Sequence, residues 1–216
     1  MHYFIKTPWI LRNLVRSCVW KIPHAGNKIF ISFDDGPHPE ATPFALDQLK
    51  KHGAKATFFC LGKNVIAYPD IYQRIIEEGH QVGNHSFDHL NGWKTSSREY
   101  EENVLKAAQH IHSHLFRPPY GKISPEQISL LKRPHPVLQG NTASNGFQII
   151  QWDILTGDFD PECSPEKCFD HATGKATPGS IIVFHDSNKA FPRMSYALPQ
   201  ALQYYSAKGF SCEPIP

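Results

Sequence analysis

The chain has 216 residues, of which 40% are hydrophobic and 19% charged, a composition typical of folded globular proteins and not of disordered ones. This length predicts one domain with at most a short extension. The 22 Lys and Arg residues against 20 Asp and Glu give a formal net charge of +2, which argues against a nucleic-acid-binding protein. The 5 Cys residues are irregularly spaced, so we expect reduced, mostly buried thiols.

The N-terminal region is the most ambiguous part of the chain. Its most apolar stretch, residues 9–20, is interrupted by Arg12, Asn13 and Arg16. It therefore lacks the unbroken apolar run of a transmembrane helix or of a secretory signal. We predict that residues 1–27 are an extension that packs on the domain, with a membrane surface as the alternative. The missing signal and the reduced thiols together predict a cytoplasmic protein without a transmembrane segment.

Strands and helices are predicted to alternate from residue 28 onward. We expect strands over residues 28–33, 56–60, 80–83, 147–152, 180–184 and 210–212. We expect helices over residues 42–53, 69–79, 96–115, 164–174 and 199–209, and one more that begins at Ser124. Several of these helices start with a capping Ser or Thr followed by Pro, Glu or Gln. Alternation with short links predicts a parallel sheet covered by helices, either an open doubly wound sheet or a small, irregular barrel.

Acids, imidazoles and one arginine recur just after the predicted strands, where parallel α/β folds carry their chemistry. In chain order these clusters are Asp34-Asp35-Gly36-Pro37, His85-Ser-Phe-Asp-His89, Arg117-Pro-Pro-Tyr-Gly121, Asp158-Phe-Asp160 and His185-Asp186. Five such clusters at one end of a sheet indicate a catalytic site.

A metal site is predicted at the histidine pair. His85 and His89 are four residues apart, so on a helical turn both rings would reach one ion. Two His and one carboxylate leave coordination positions open, as catalytic zinc sites do. The alternative is a pair of surface imidazoles beside a helix cap formed by Ser86 or Asp88. The acidic pair after the first strand favours the metal site.

The other clusters have both functional and structural interpretations. Asp34 and Asp35 repel each other unless a cation or an arginine lies nearby, and a turn closed by Gly36 does not need the second acid. The prolines after Arg117 stiffen that segment, so a backbone N–H there would point to a fixed place, as an oxyanion site requires. His185 ends an apolar strand, where it is either a buried structural histidine or a residue that approaches the substrate opposite the metal.

These clusters, in this order, resemble the polysaccharide deacetylases with a NodB-like domain, carbohydrate esterase family four. The resemblance extends over residues 28–212 and makes residues 28–216 the catalytic domain. It implies a distorted (β/α)7 barrel and a hydrolase that removes acetyl groups from N- or O-acetylated sugars of a polysaccharide or oligosaccharide. It also implies a divalent metal, zinc first and Co²⁺, Ni²⁺ or Mn²⁺ as alternatives, which activates the water that attacks the acetyl carbonyl.

The resemblance implies a role for each matched residue at the metal and the base. Asp34 corresponds to the catalytic base. Asp35, His85 and His89 correspond to the metal ligands. Arg117 is similar to the arginine that orients the base.

A second group of matched residues would surround the substrate. Tyr120, which follows Pro119, would supply a backbone N–H to the oxyanion. His185 resembles the general acid, and Asp158 stands where the family has an acid that pairs with that histidine. Phe159 stands where the family often has Trp, so the wall of the sugar groove is expected to differ there.

Other functions remain open on the sequence alone. One is a carbohydrate-binding protein that retains the metal site without turnover. Another is a deacylase of a non-sugar amide. Residues 134–147 form a link longer than a helix-to-strand connection needs, and are either a substrate loop or a disordered segment. The oligomeric state is left open.

Overall fold

A parallel β-sheet lies at the centre of the computed structural model, which describes residues 3–138 and 146–216. The expected loop over residues 134–147 thus falls in part outside the described residues. The strands in chain order are β1 (Lys28–Asp34), β2 (Thr57–Cys60), β3 (Gln81–Asn84), β4 (Leu115–Phe116), β5 (Gln148–Ile149), β6 (Ile154–Leu155), β7 (Ile181–His185) and β8 (Ser211–Cys212).

The strand order confirms the predicted distorted barrel. Seven strands follow the path β5-β4-β3-β2-β1-β7-β6, and β8 pairs with the start of β1. Every pairing between these strands is parallel. The two edge strands, β5 and β6, follow each other directly in the chain, so the sheet curls round toward closure.

Helices cover the outside of the sheet. They are α1 (Trp9–Leu14), α2 (Ala41–Lys51), α3 (Gly62–Ala67), α4 (Pro69–Glu77), α5 (Ser97–Ala108), α6 (Pro125–Leu131), α7 (Pro165–Gly174) and α8 (Phe191–Ala207). Because helices pack against it, six of the seven residues of β1 are buried. Phe33 of β1 stacks on Phe58 and Phe184 of the neighbouring strands, with ring centroids 4.8 and 6.1 Å apart. All five cysteines are buried free thiols, as predicted.

Two helix boundaries differ from the prediction. The helix expected over 96–115 ends at Ala108, and Leu115 begins β4 instead. The apolar residues of the helix and of β4 happen to follow one helical spacing. A strand of two residues is too short to show an alternating pattern that would distinguish it from the helix. The last helix begins at Phe191 and not near Pro199, which lies inside it. An interior proline removes one backbone hydrogen bond. The burial of Met194, Leu198 and Leu202 in the core compensates for that loss.

Two further predictions fail because tertiary contacts override local signals. Of the strand expected over 147–152, only residues 148–149 form one, β5; β6 begins later, at Ile154, and was not predicted, and Trp152 lies half-buried between the two strands. Thr42 does not cap α2, which begins at Ala41. Its hydroxyl donates to Asp186 at 2.5 Å and accepts from the His38 N–H at 2.7 Å.

Backbone bridges and an ion pair hold the N-terminal segment against the sheet. Isolated bridges pair Lys6 with Ile154 and Val19 with Ile150. Arg12 Nη2 lies 2.9 Å from Oδ1 of the fully buried Asp153. Over residues 3–138 and 146–216, no helix has the length and apolar character needed to cross a bilayer.

Close packing between β2 and β3 leads to a stability prediction. Gly83 pairs with Phe59, and a Cβ built on Gly83 would lie 2.4 Å from Phe59 Cδ1. We expect Gly83→Ala to lower the free energy of unfolding by about 1–3 kcal/mol in urea denaturation, because an overpacked core must shift. The control is Gly174→Ala, where nothing lies within 4 Å of the added Cβ. Equal urea midpoints for the two variants would contradict this account.

Candidate active site

The carboxyl ends of the parallel strands bring the predicted clusters together. Asp34, the last residue of β1, is paired in register with His185, the last residue of β7. On the other side of β1, the Asn84 that ends β3 is paired with Phe116 of β4. The residues that follow these two are His85 and Arg117. The sheet thereby places acids, imidazoles and the arginine at one rim.

Three potential metal ligands converge there. The ligand atoms of Asp35, His85 and His89 all lie within 4.8 Å of one another. Asp35 Oδ1 is 3.2 Å from His89 Nε2 and 3.7 Å from His85 Nε2. That carboxylate oxygen is buried and has no hydrogen-bond partner among the described residues. An orphaned carboxylate oxygen facing two imidazole nitrogens is the arrangement that a bound cation would complete, so these residues fit a divalent metal.

The tautomer of His85 suits a metal ligand. Its Nδ1 lies 2.8 Å from the Arg117 carbonyl oxygen, so Nδ1 carries the proton and donates it. The Nε2 lone pair is then left to face Asp35. Burial lowers the pKa of His85 to about 4, which keeps the ring neutral at pH 7. An outer hydrogen bond of this kind also fixes the orientation of the ring.

The two histidines do not lie on a helical turn, contrary to the prediction. Ser86 and His89 have φ values of 69° and 64°, and the segment between them forms an irregular loop. Asn103 of α5 holds this loop, since its Oδ1 accepts from the Phe87 and Asp88 N–H groups at 3.0 Å each. The two histidines do come together, as their spacing of four residues indicated, but an irregular loop brings them together and not a helical turn.

Backbone strain is concentrated at the site. Five non-glycine residues in the described part of the chain have positive φ, and four of them lie here: Asp35, Ser86, His89 and Tyr120. Such conformations persist only where the surrounding structure over-determines them, and they cluster at functional sites.

Asp34 is held by a buried arginine. Arg117 Nη1 donates to Asp34 Oδ1 at 2.6 Å and to Ser32 Oγ at 2.8 Å, and its Nη2 donates to the Gln151 carbonyl oxygen at 3.2 Å. The guanidinium is fully buried and lies 4.0 Å from the centre of the Phe59 ring. This cation supplies the charge that two adjacent carboxylates require. Ser32 and Gln151 were not predicted as site residues.

His185 is paired with Asp158, as the resemblance implied. Its Nδ1 lies 2.7 Å from Asp158 Oδ1, and its backbone N–H donates to Oδ2 at 2.6 Å. Burial alone would lower the pKa of His185, but the Asp158 carboxylate outweighs it and the pKa is raised to about 9. The ring is therefore an imidazolium at neutral pH, and its Nε2–H donates to no group of the described residues. Phe159 lies edge-on to it at 5.2 Å.

Tyr120 lies at the rim, beside the histidines. The short 3₁₀ turn Pro119–Gly121 places its ring 4.5 Å from that of His89, and 58% of the residue is exposed. The N–H groups of Gly121 and Lys122 donate to the carbonyls of Pro118 and Pro119. The Tyr120 N–H donates to none of the described residues, which leaves it available to a ligand.

Asp186 holds the turn after Asp35 through hydrogen bonds that were not predicted from the sequence. Asp186 accepts from the Gly36 N–H at 3.0 Å and from the Thr42 hydroxyl at 2.5 Å. Burial raises the pKa of Asp186 to about 8 despite the hydrogen bond from Thr42. A Cβ on Gly36 would lie 2.0 Å from Asp186 Oδ2, so only glycine fits there. Partners 150 residues apart leave no local signal.

Comparison with known proteins decides the family. The family model for polysaccharide deacetylases matches residues 21–134, more than half of the chain. The chain belongs to the polysaccharide deacetylase family. A chitooligosaccharide deacetylase from Azorhizobium caulinodans is 30% identical to this chain over 219 residues. The match covers 91% of this chain and 96% of that protein. The resemblance stated from the sequence motifs is thus confirmed.

Two peptidoglycan-directed members of the family are also similar. A peptidoglycan-N-acetylglucosamine deacetylase from Bacillus cereus is 36% identical over 171 residues. These cover 76% of this chain but only 58% of that protein, so the chain spans little more than half of that relative. The crystal structure of a peptidoglycan N-acetylglucosamine deacetylase, in complex with 4-naphthalen-1-yl-N-oxidanyl-benzamide, superimposes with a TM-score of 0.83 at 30% identity, covering 97% of this chain and 95% of that one. The similar proteins are therefore sugar deacetylases.

Proposed function

We propose that this protein is a metal-dependent hydrolase that removes the acetyl group from N-acetylglucosamine units of peptidoglycan or of chitooligosaccharides. The observation that carries the proposal is the placement of Asp34–Arg117 and His185–Asp158 at the same rim as the Asp35, His85 and His89 cluster. A base and an acid beside a metal cluster are what amide hydrolysis requires. The similar deacetylases support this choice of substrate.

Asp34 and His185 each carry out one of the two proton transfers in the proposed reaction. Asp34, oriented by the hydrogen bond from Arg117 Nη1, takes the proton of the attacking water. The Tyr120 N–H stabilises the negative charge that develops on the acetyl oxygen. His185 protonates the departing nitrogen, because an amine leaves poorly as an anion. A divalent ion, for which we propose zinc, would be held by Asp35, His85 and His89 and would supply Lewis-acid activation of water and carbonyl.

The protonated His185 favours N-deacetylation over O-deacetylation. A sugar alkoxide leaves more readily than an amide nitrogen and needs less help from an acid. The proposed test is acetate release from chitooligosaccharides, peptidoglycan fragments and acetyl-xylan, each with and without a chelator. We expect release from the first two, loss with the chelator and recovery with added Zn²⁺. Glycan binding without any acetate release would instead support a binding protein without turnover.

The Asp158–His185 pair leads to a pH prediction. His185 is protonated below its raised pKa of about 9, so the general acid is present at neutral pH and is lost as the pH rises through that value. Asp158→Asn removes the charge that raises the pKa and leaves burial to lower it. We expect the alkaline limb of the kcat profile to move down by about one pH unit or more, with lower activity at neutral pH.

The matched control for that variant is Asp160→Asn. Asp160 accepts from the Glu162 N–H and belongs to the same loop, so the substitution makes the same chemical change without touching His185. Its pH profile is expected to match the wild type. If the alkaline limb of Asp158→Asn also stays in place, His185 is not the acid.

A further inference from the structure

The first helix of the chain has its apolar side facing outward. None of the residues of α1 is buried, and Trp9, Ile10 and Leu14 are 69%, 55% and 73% exposed. The inward position is taken by Arg12, which pairs with the buried Asp153. A helix on the surface of a globular protein normally turns its apolar stripe toward the core and its charges toward water. The reversal indicates that something other than this domain covers the apolar side.

The exposed side of α1 is part of a larger surface. We name the N-terminal apolar patch by its five residues, Phe4, Trp9, Ile10, Leu11 and Leu14, which are 38–73% exposed. They account for five of the twelve exposed large hydrophobic residues in the described part of the chain, yet they span only eleven positions. Scattered exposed hydrophobic residues need no explanation, whereas a concentrated group marks an interaction surface.

The segment that carries the patch has charges of one sign only. Residues 3–27 include Lys6, Arg12, Arg16 and Lys21 and not a single Asp or Glu. The first two are paired with Asp153, the residue directly before β6. Arg16 is exposed, and Lys21 is half-buried beside Thr177. An apolar surface that contains Trp, on a segment whose own charged residues are all cations, is complementary to anionic lipid.

The patch is held rigidly, so its exposure is not that of a loose tail. The Thr7 N–H donates to the Asp153 carbonyl oxygen and the Leu155 N–H to the Ile5 carbonyl oxygen, each at 2.9 Å. These bonds hold the residues before α1 against β6. The apolar side chains are therefore presented together at a fixed orientation, which lowers the entropic cost of docking.

The patch adjoins the candidate active site. A cavity of about 170 Å³ lies between them, and its lining includes Phe4 and Leu11 on one side and Tyr120 and Trp152 on the other. Tyr3 also contacts Phe159, with ring centroids 5.1 Å apart. A surface on which the patch docks would thus lie beside the rim that carries Tyr120.

We propose that the N-terminal apolar patch docks on an anionic lipid bilayer. Trp9, Ile10 and Leu14 enter the boundary between head groups and acyl chains, and Arg16 and Lys21 face the anionic head groups. The docking orients the rim of the site relative to the bilayer. This surface is independent of the proposed catalytic function, because no residue of the patch belongs to the acid, the base or the metal cluster.

The test is co-sedimentation of the full chain with two kinds of vesicle. One is phosphatidylcholine alone, and the other contains roughly 30% phosphatidylglycerol. We expect binding to the anionic vesicles that weakens as salt is added. The double variant Trp9→Ala/Leu14→Ala is expected to bind about tenfold more weakly or worse, with an unchanged thermal midpoint since both residues are exposed. The matched control is Ile66→Ala/Ile76→Ala, which removes two exposed residues of α3 and α4 and should bind as the wild type.

Each other outcome overturns the proposal. Failure of the wild-type chain to sediment with anionic vesicles would do so. Equal binding by the Trp9→Ala/Leu14→Ala variant and the wild type would also do so. A wild-type dimer in light scattering that this variant makes monomeric would assign the patch to a second copy of the chain. Because the inactive Asp34→Asn variant should still bind vesicles, a failure of docking can be told apart from a failure of the proposed catalysis.

Discussion

Replacing Asp34 with asparagine is expected to lower kcat for deacetylation by about 10²–10⁴-fold, with little change in bound metal. The amide has nearly the same shape as the carboxylate and its oxygen can still accept from Arg117 Nη1, now 2.6 Å from Asp34 Oδ1. It cannot take a proton from water at neutral pH. The loss therefore measures the base and leaves the cluster of Asp35, His85 and His89 intact.

Asparagine is a better choice than alanine at this position. Arg117 is fully buried, and Asp34 is its carboxylate partner. Alanine would leave the guanidinium buried without a counter-charge, and breaking a buried ion pair on one side costs about 3–5 kcal/mol. Loss of activity in Asp34→Ala could thus come from unfolding alone. Thermal melts of the Asn variant separate the two causes.

The matched control is Asp47→Asn. Asp47 also pairs with an arginine, its Oδ1 lying 2.5 Å from Arg74 Nη2, but 64% of its side chain is exposed. The same chemical change at a surface pair is worth at most about 1 kcal/mol and should leave kcat unchanged. Steady-state acetate release on one chitooligosaccharide compares the three proteins. Turnover by Asp34→Asn at a rate near the wild type would exclude Asp34 as the base.

The long strands of the fold were predictable because their sequence is unambiguous. β1 and β7, of seven and five residues, are mostly apolar and mostly buried, and both were predicted to within one residue of their observed ends. The two-residue strands β4, β5 and β6 carry no periodicity, so the sequence pattern merged or missed them. Their positions follow from pairing with neighbours far away in the chain.

The residues of the candidate site also fall into a group that the sequence reveals and a group that it does not. The residues for which we propose chemical roles, such as Asp35, His85 and His185, could be singled out from the sequence because acids and imidazoles that follow strands are visible locally. The residues that position them were not, because their partners are distant. Asn103 lies 15 and 16 residues from the N–H groups that it binds in the histidine loop. Ser32 lies 85 residues from Arg117.

Removing one of the proposed metal ligands is expected to have the second large effect. We expect His85→Ala to lower metal affinity by more than about 100-fold and to abolish acetate release, because the loss of an outer hydrogen-bond partner alone costs about 10–100-fold. Elemental analysis of the purified protein, followed by titration with Zn²⁺, measures the change. His85 is only 2% exposed, so this variant also leaves a cavity beside Arg117.

His89→Ala separates metal loss from that cavity. The His89 side chain is 23% exposed, and its Nε2 lies 3.2 Å from Asp35 Oδ1, so its removal takes away a ligand without opening the core. We expect the same loss of metal with an unchanged melting temperature in chelator. His112→Ala is the control, since that histidine is exposed and lies outside the cluster. If the His89 variant retained both stoichiometric zinc and activity, the three side chains would not be the metal site, and the orphaned oxygen of Asp35 would need another partner.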